Sequence, residues 1–266
     1  MTVISVCSAK GAPGVTTISC AVAAVWPVDR GVVIAECDPS GGDLAARFGL
    51  SAKRGMTSLV LDARHSDSLV PLQMRDHLQT LPGGLELLAG AIGAGASRTV
   101  DSQLGECLHR LLEQREGGSA SQGDFVLDCG RIQPGAAGQV AALAASDHVL
   151  VVVRPTVEAV ASTRWIAERL SRGRTHGASA AGLLVVGEGP VTASQAASAL
   201  ELELLAVIPE DRIGAAALRG DAIRSGRLAR SALVSRARTL VMDLLDRSES
   251  DSSYGFENDS LAKATS

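Results

Sequence analysis

The sequence predicts an α/β fold: a three-layer, doubly wound, mostly parallel sheet with helices on both faces. Apolar runs alternate with helix-compatible segments over most of the 266 residues, the pattern of consecutive βα units. The runs are nearly continuous in apolar residues instead of alternating with polar ones, as strands covered on both faces require. The first run passes through a glycine-bearing turn directly into an Ala/Val-rich segment.

In chain order the apolar runs place strands at 3–7, 32–37, 85–88, 125–129, 149–153, 182–186 and 204–208. Helical patterns fall between and after them, at 16–25, 44–48, 70–78, 101–114, 136–145, 157–170, 193–200 and 230–246. In the last of these, Leu233, Val234, Ala237, Leu240, Val241, Leu244 and Leu245 recur at helical spacing, the mark of a helix packed on a core. The segments 116–123 and 171–177, rich in Gly and Ser or Arg and Gly, read as flexible loops. Residues 1–247 are expected to form one domain, and 248–266, rich in Ser, Asp and Glu, a disordered polar tail.

Hydrophobic residues make up 46% of the chain and aromatic ones only 2%, so the core must be built from Ala, Val, Leu and Ile. The net charge of −4 gives no global attraction to nucleic acid or to acidic membranes. Cys7, Cys20, Cys37, Cys107 and Cys129 form no C-x-x-C pair and read as buried, reduced thiols. No charged-then-apolar leader and no apolar stretch long enough for a membrane span is present, so a cytoplasmic protein is expected. His65, His77, His109, His148 and His176 show no metal spacing and read as surface or capping residues.

Three segments carry chemistry. The first is Lys10-Gly11-Ala12-Pro13-Gly14-Val15-Thr16-Thr17, between strand and helix. Glycines at this place permit a tight turn that presents backbone N–H groups and a helix N-terminus to phosphate oxygens. Thr16 offers a hydroxyl to Mg²⁺. The usual phosphate loop reads G-x-x-x-x-G-K-[ST]; here valine precedes Thr16, and a lysine stands at the front as Lys10. Only Lys10, Lys53 and Lys263 are lysines, which argues against a random surface position for the first. The second segment is Glu36-Cys37-Asp38-Pro39, whose Asp38 at a strand's C-terminal end faces the crevice where α/β sheets take ligands; an Asp-Pro strand cap accounts for it equally. The third is the apolar strand ending at Asp128, a suitable Mg²⁺ partner for a phosphate loop and also an ordinary strand ending.

In this order and spacing the three segments resemble the MinD/ParA family of deviant phosphate-loop ATPases, over about residues 1–247. The family loop reads K-G-G-x-G-K-T-T and matches residues 10–17; an Asp-x-Asp-Pro-type segment matches Glu36-Cys37-Asp38-Pro39; the strand ending in aspartate matches at Asp128. Val207-Ile208-Pro209-Glu210-Asp211 is similar to the I-P-x-D element near the nucleotide base, and 38–45 with 81–90 look most like the CpaE/TadZ branch, whose members position pilus-assembly machinery.

The resemblance implies ATP or ADP with Mg²⁺, bound at Lys10 through Thr17 and near Pro209 and Asp211. It implies metal contacts from Thr16, Asp38 and Asp128, and catalytic roles for Asp38, which helps position the attacking water, and for Lys10, which crosses a face-to-face homodimer to the partner's phosphates. Val15 departs from the family by replacing the lysine that contacts the phosphates in cis, a charge-assisted interaction of about 1.5–3 kcal/mol. The base-reading asparagine is also missing, with Val186-Gly187-Glu188-Gly189 in its place.

Two readings follow. In one, the chain binds ATP, hydrolyses it slowly or not at all, dimerises and positions a protein cargo, such as a pilus, secretion or partition component. In the other it is a pseudo-ATPase scaffold that binds no nucleotide. DNA is a third candidate partner, through Arg212, Arg219, Arg224, Arg227, Arg230, Arg236 and Arg238, against the simpler reading of a solvated helical face. An iron–sulfur protein of the same family would need cysteines paired across a dimer, whereas Cys7, Cys37 and Cys129 fall on or beside strands.

Overall fold

In the computed structural model, residues 1–10, 13–65, 73–116, 123–172, 180–220 and 230–264 are described. The two Gly-rich loops expected to be flexible lie almost wholly outside them, as do Gly11, Ala12, Arg224, Arg227 and His176. The strands are β1 (Val3–Ser8), β2 (Val32–Glu36), β3 (Gln79–Thr80), β4 (Glu86–Leu88), β5 (Asp124–Arg131), β6 (His148–Val153), β7 (Ala180–Val186) and β8 (Glu203–Ile208). The helices are α1 (Val15–Ala24), α2 (Leu44–Arg47), α3 (Met56–His65), α4 (Ala94–Glu116), α5 (Ala137–Ala144), α6 (Val157–Arg172), α7 (Ala193–Leu200), α8 (Arg212–Leu218) and α9 (Ala232–Ala264).

All eight strands join one sheet in the order β3-β4-β2-β5-β1-β6-β7-β8. Each neighbouring pair is parallel except β3 with β4. β1 lies between β5 and β6, so the two halves wind away from it in opposite directions and open a crevice at the strands' C-terminal ends. One face of the sheet packs on α3 to α7 through Leu59, Leu104, Ala142, Ile166 and Ala196. The other packs on α1, α2 and α9 through Ile18, Val22, Leu44, Leu240 and Leu244. The strands read as continuous apolar runs because both faces are covered.

The expected helix at 70–78 is replaced, over the described residues, by a 3-10 turn at Met74–His77. The helical segment nearby is α3, whose Met56, Leu59 and Val60 are its buried positions. All seven apolar residues picked out between 233 and 245 are buried. The expected boundary at 247/248 falls inside α9, and Arg247 is clamped to Glu203 of β8 by two hydrogen bonds of 2.9 and 2.7 Å. All five cysteines are buried and unbonded. Burial pushes the Cys7 and Cys20 thiols up to about 12 and that of Cys107 up to about 11. Two histidines depart from the surface expectation. His77 is buried against Ser58, and His148 is buried with its Nε2 2.8 Å from the Ser248 hydroxyl. Among the described residues no helix is long and apolar enough to cross a membrane.

Candidate functional site

The site is built where β1, β2 and β5 end together. Register pairs Val6 of β1 and Glu36 of β2 with Asp128 of β5. After β1 the chain turns through Gly14, whose φ of +94° is a left-handed conformation that glycine adopts without strain. α1 begins at the next residue, so its first N–H groups point into the crevice.

Thr16, on the first turn of α1, lies beside the Asp128 carboxylate and favours its ionised form. Asp128 is buried at the floor of the crevice, and this burial pushes its pKa up to about 7. Thr16 and the Gly130 N–H pull it down, while Glu36 and Asp38 add to the rise. Asp38 sits beside it: its Oδ1 accepts the Ser40 N–H at 2.7 Å, and its carboxylate lies over Gly130. Gly130 has φ of +56°, and a Cβ there would overlap the Asp38 carboxyl group. Thr16, Asp38 and Asp128, three residues widely separated in sequence, are thereby neighbours.

Glu36, the other acid of the second segment, is consumed structurally. Its Oε1 accepts the N–H groups of Asp43 and Leu44 at 2.8 and 3.0 Å, and its Oε2 accepts that of Gly90 at 2.9 Å. It caps the start of α2 and ties the loop after β2 to the loop after β4. Gln139 does the same for the loop after β5. Its amide donates to the carbonyls of Cys129 and Arg131 at 2.6 and 2.9 Å, and its oxygen accepts Gln133 N–H at 2.8 Å. Gln133 in turn donates to the Ser40 hydroxyl at 2.8 Å, beside Asp38. These clamps join residues far apart in sequence, and no local motif marks them.

Val15 is 6% exposed and belongs to the apolar layer that includes Ile4, Val6 and Ile18. Lys10 is exposed, and its charge helps hold the Glu158 carboxyl below its usual range, behind hydrogen bonds from the Glu158 backbone and Thr156. From Pro13, Gly14 and Thr17 a cleft of about 470 Å³ runs to Arg154, Val186, Ile208, Pro209 and Glu210, to Arg212 at the start of α8 and to Arg219 just past its end. Asp211 lines it too, but both its oxygens are engaged. Oδ1 caps α8 at Gly214 N–H, 2.8 Å away, and Oδ2 accepts the Ser231 hydroxyl at 2.6 Å. Among the described residues there is no cluster of three or more His, Cys, Asp or Glu side chains able to hold a metal ion by themselves.

Among solved structures, a ParA-family ATPase from Chlorobium tepidum TLS superposes with a TM-score of 0.72, at 14% identity, over 91% of this chain and 98% of that one. The chain has the ParA/MinD fold. The septum site-determining protein MinD of Pyrococcus horikoshii OT3, solved with Mg-ADP, superposes with a TM-score of 0.69 at 17% identity, over 91% of this chain and 95% of its own. Cobyrinic acid a,c-diamide synthase from Mycobacterium smegmatis, with a bound ATP analogue and magnesium, shares the fold at a TM-score of 0.66 and 18% identity, over 94% and 97% of the two chains. The ParA/MinD fold thus serves both cell-division ATPases and a synthase, and function has to be argued from the site. No protein-family model and no curated protein matches the sequence.

Proposed function

We propose that this chain is a nucleotide-linked switch of the ParA/MinD kind. It binds ATP or ADP with Mg²⁺ in the crevice, hydrolyses ATP slowly or not at all, and forms a homodimer that positions a protein cargo. The observation that carries the reading is the placement of Thr16, in the first turn of α1, beside the buried Asp128 at the ends of β1, β2 and β5, inside a ParA/MinD fold.

The donor set suits the ion. Mg²⁺ is a hard cation that keeps several waters and takes one or two protein oxygens beside the phosphates of its nucleotide. Thr16, Asp128 and Asp38 offer hydroxyl and carboxylate oxygens of that kind, and the absence of a larger acidic cluster among the described residues fits it equally. Bound there, the ion would neutralise phosphate charge. Residues Gly14 to Thr17 supply amides to the phosphates, with Gly11 and Ala12 as expected further members of the loop, and Asp38 orients a water. Pro209 lines the base end of the cleft, and Asp211 holds its wall through α8. Lys10, exposed two residues beyond β1, is the residue that would cross to a partner copy. The cargo is of the pilus, secretion or partition type, in line with the CpaE/TadZ-like segments.

Val15 explains the slow chemistry. With an apolar side chain in the core layer in place of a cis lysine, a stabiliser of transition-state charge is missing. The same observation favours the second reading, a scaffold that has lost nucleotide altogether. Titration with ATP and Mg²⁺ while the solution mass is measured separates them: weak binding with a doubling of mass supports the switch, and no binding at millimolar nucleotide supports the scaffold. Arg212, Arg219, Arg230, Arg236 and Arg238 are exposed, and DNA binding that is present at low salt and falls steeply with added salt would extend the reading to a DNA-tethered switch.

A further inference from the structure

The nucleotide reading leaves the base end of the cleft without the expected asparagine, and the structure shows what stands there. β6, β7 and β8 are neighbours in the sheet. Arg154 follows β6, Gly187 follows β7, and Glu210 lies two residues beyond β8. Arg154 Nη1 donates to Glu210 Oε1 at 2.6 Å, so this ion pair spans the end of β7. It passes there because residue 187 is glycine: φ is +79°, and a Cβ would come within 3.0 Å of Glu210 Cγ. The loops beneath are fixed to each other. Val191 N–H donates to the Pro155 carbonyl at 3.1 Å, and Gly189 packs against that carbonyl.

Arg154 and Glu210 both line the cleft that begins at Gly14 and Thr17. Ile18, Val186, Ile208 and Leu233 give it apolar walls against which a flat ring can lie. The other acid, Asp211, is spent on capping α8 and holding Ser231. Arg212 and Arg219 also line the cleft, from the two ends of α8, so among the described residues the polar edge at the ends of β6 to β8 is the Arg154 guanidinium and the Glu210 carboxylate. The first only donates hydrogen bonds and the second only accepts them.

Resting on the nucleotide reading, we infer that Arg154 and Glu210 read the base, and that the site takes guanine nucleotides at least as tightly as adenine nucleotides. Guanine presents two adjacent acceptors, O6 and N7, which match a guanidinium, and two adjacent donors, N1–H and the 2-amino group, which match a carboxylate. Adenine presents a donor where guanine has O6, and at N1 an acceptor that a carboxylate repels. The Arg154–Glu210 pair is about half exposed at each end, so redirecting it to a ligand costs little.

The test uses the full chain with Mg²⁺ and separate titrations of GTP and ATP by calorimetry, for the wild type and for Glu210→Gln. An amide turns one of the two acceptors into a donor, so Glu210→Gln is expected to weaken GTP by about tenfold while ATP changes by less than about threefold. Glu188→Gln, in the adjoining cavity lined by Gly187 and Arg236, serves as a control expected to leave the ratio unchanged. A wild-type preference for ATP, or a Glu210→Gln variant with the wild-type ratio, overturns the base assignment and leaves the nucleotide site standing. Failure of both nucleotides to bind overturns the nucleotide reading and this assignment with it.

Discussion

Asp128 gives the sharpest test of the site's electrostatics, through the variant Asp128→Asn. In the folded chain its pKa is raised from 3.8 to about 7, chiefly by burial. The native state therefore keeps a proton that the unfolded chain releases between about pH 4 and pH 7. Where the native state binds more protons, stability falls as pH rises. The ionised form is fully uncompensated only above about pH 7. A separation of about three pH units at about 1.4 kcal/mol each sets an upper bound of about 4 kcal/mol on that cost. Asparagine is nearly isosteric, keeps an acceptor for the Gly130 N–H, and carries no charge. The variant is expected to gain roughly 2–4 kcal/mol over the wild type at pH 8 and to match it near pH 4. Urea denaturation at pH 4, 6 and 8, without nucleotide or Mg²⁺, measures this. A difference that does not change with pH, or a variant less stable than wild type at pH 8, refutes the reasoning.

Other outcomes follow from the same geometry. Mg²⁺·ATP affinity rises from pH 5 to pH 7.5, because the ion needs the ionised Asp128 and displaces its proton, and calorimetry in two buffers reads the released proton. Gly130→Ala combines an unfavourable positive φ, costing about 1–2 kcal/mol, with displacement of the Asp38 carboxylate, so it lowers both melting temperature and any ATP turnover. Val15→Lys places an ammonium in the apolar layer and destabilises the nucleotide-free chain by about 1–3 kcal/mol, partly recovered with Mg²⁺·ATP in a thermal melt. All five thiols resist a thiol-titrating reagent at pH 8 in the native chain and react in denaturant, since each is buried and protonated.

The strands were legible because a sheet covered on both faces leaves a plain record in the chain. The run Val149 to Val153 is apolar at every position, and each is buried. β3 was illegible, since two residues that pair antiparallel at an edge leave no pattern. α8 escaped because it is short and begins at a cap: the Asp211 that holds it reads, in sequence, as part of a base-site motif. The early turns of α4 escaped because Gly93 and Gly95 suggest a loop. At the site, the sequence order brought out Thr16, Asp38 and Asp128, since each follows or ends a strand. It was silent on Gly130, Gln139 and the Arg154–Glu210 pair, whose partners are 92, 10 or 8, and 56 positions away. Spacing also could not reveal that the oxygens of Glu36, in the same segment as Asp38, are taken up by three backbone amides.

The loop of Lys10 to Thr17 raises one question above the others: whether a crevice without its cis lysine still governs assembly through a nucleotide. Light scattering during titration with ATP and Mg²⁺ answers it. Weak, saturable binding is expected, accompanied by a shift from 27.3 kDa to twice that mass and abolished by Thr16→Ala. A mass that stays unchanged at millimolar nucleotide contradicts it.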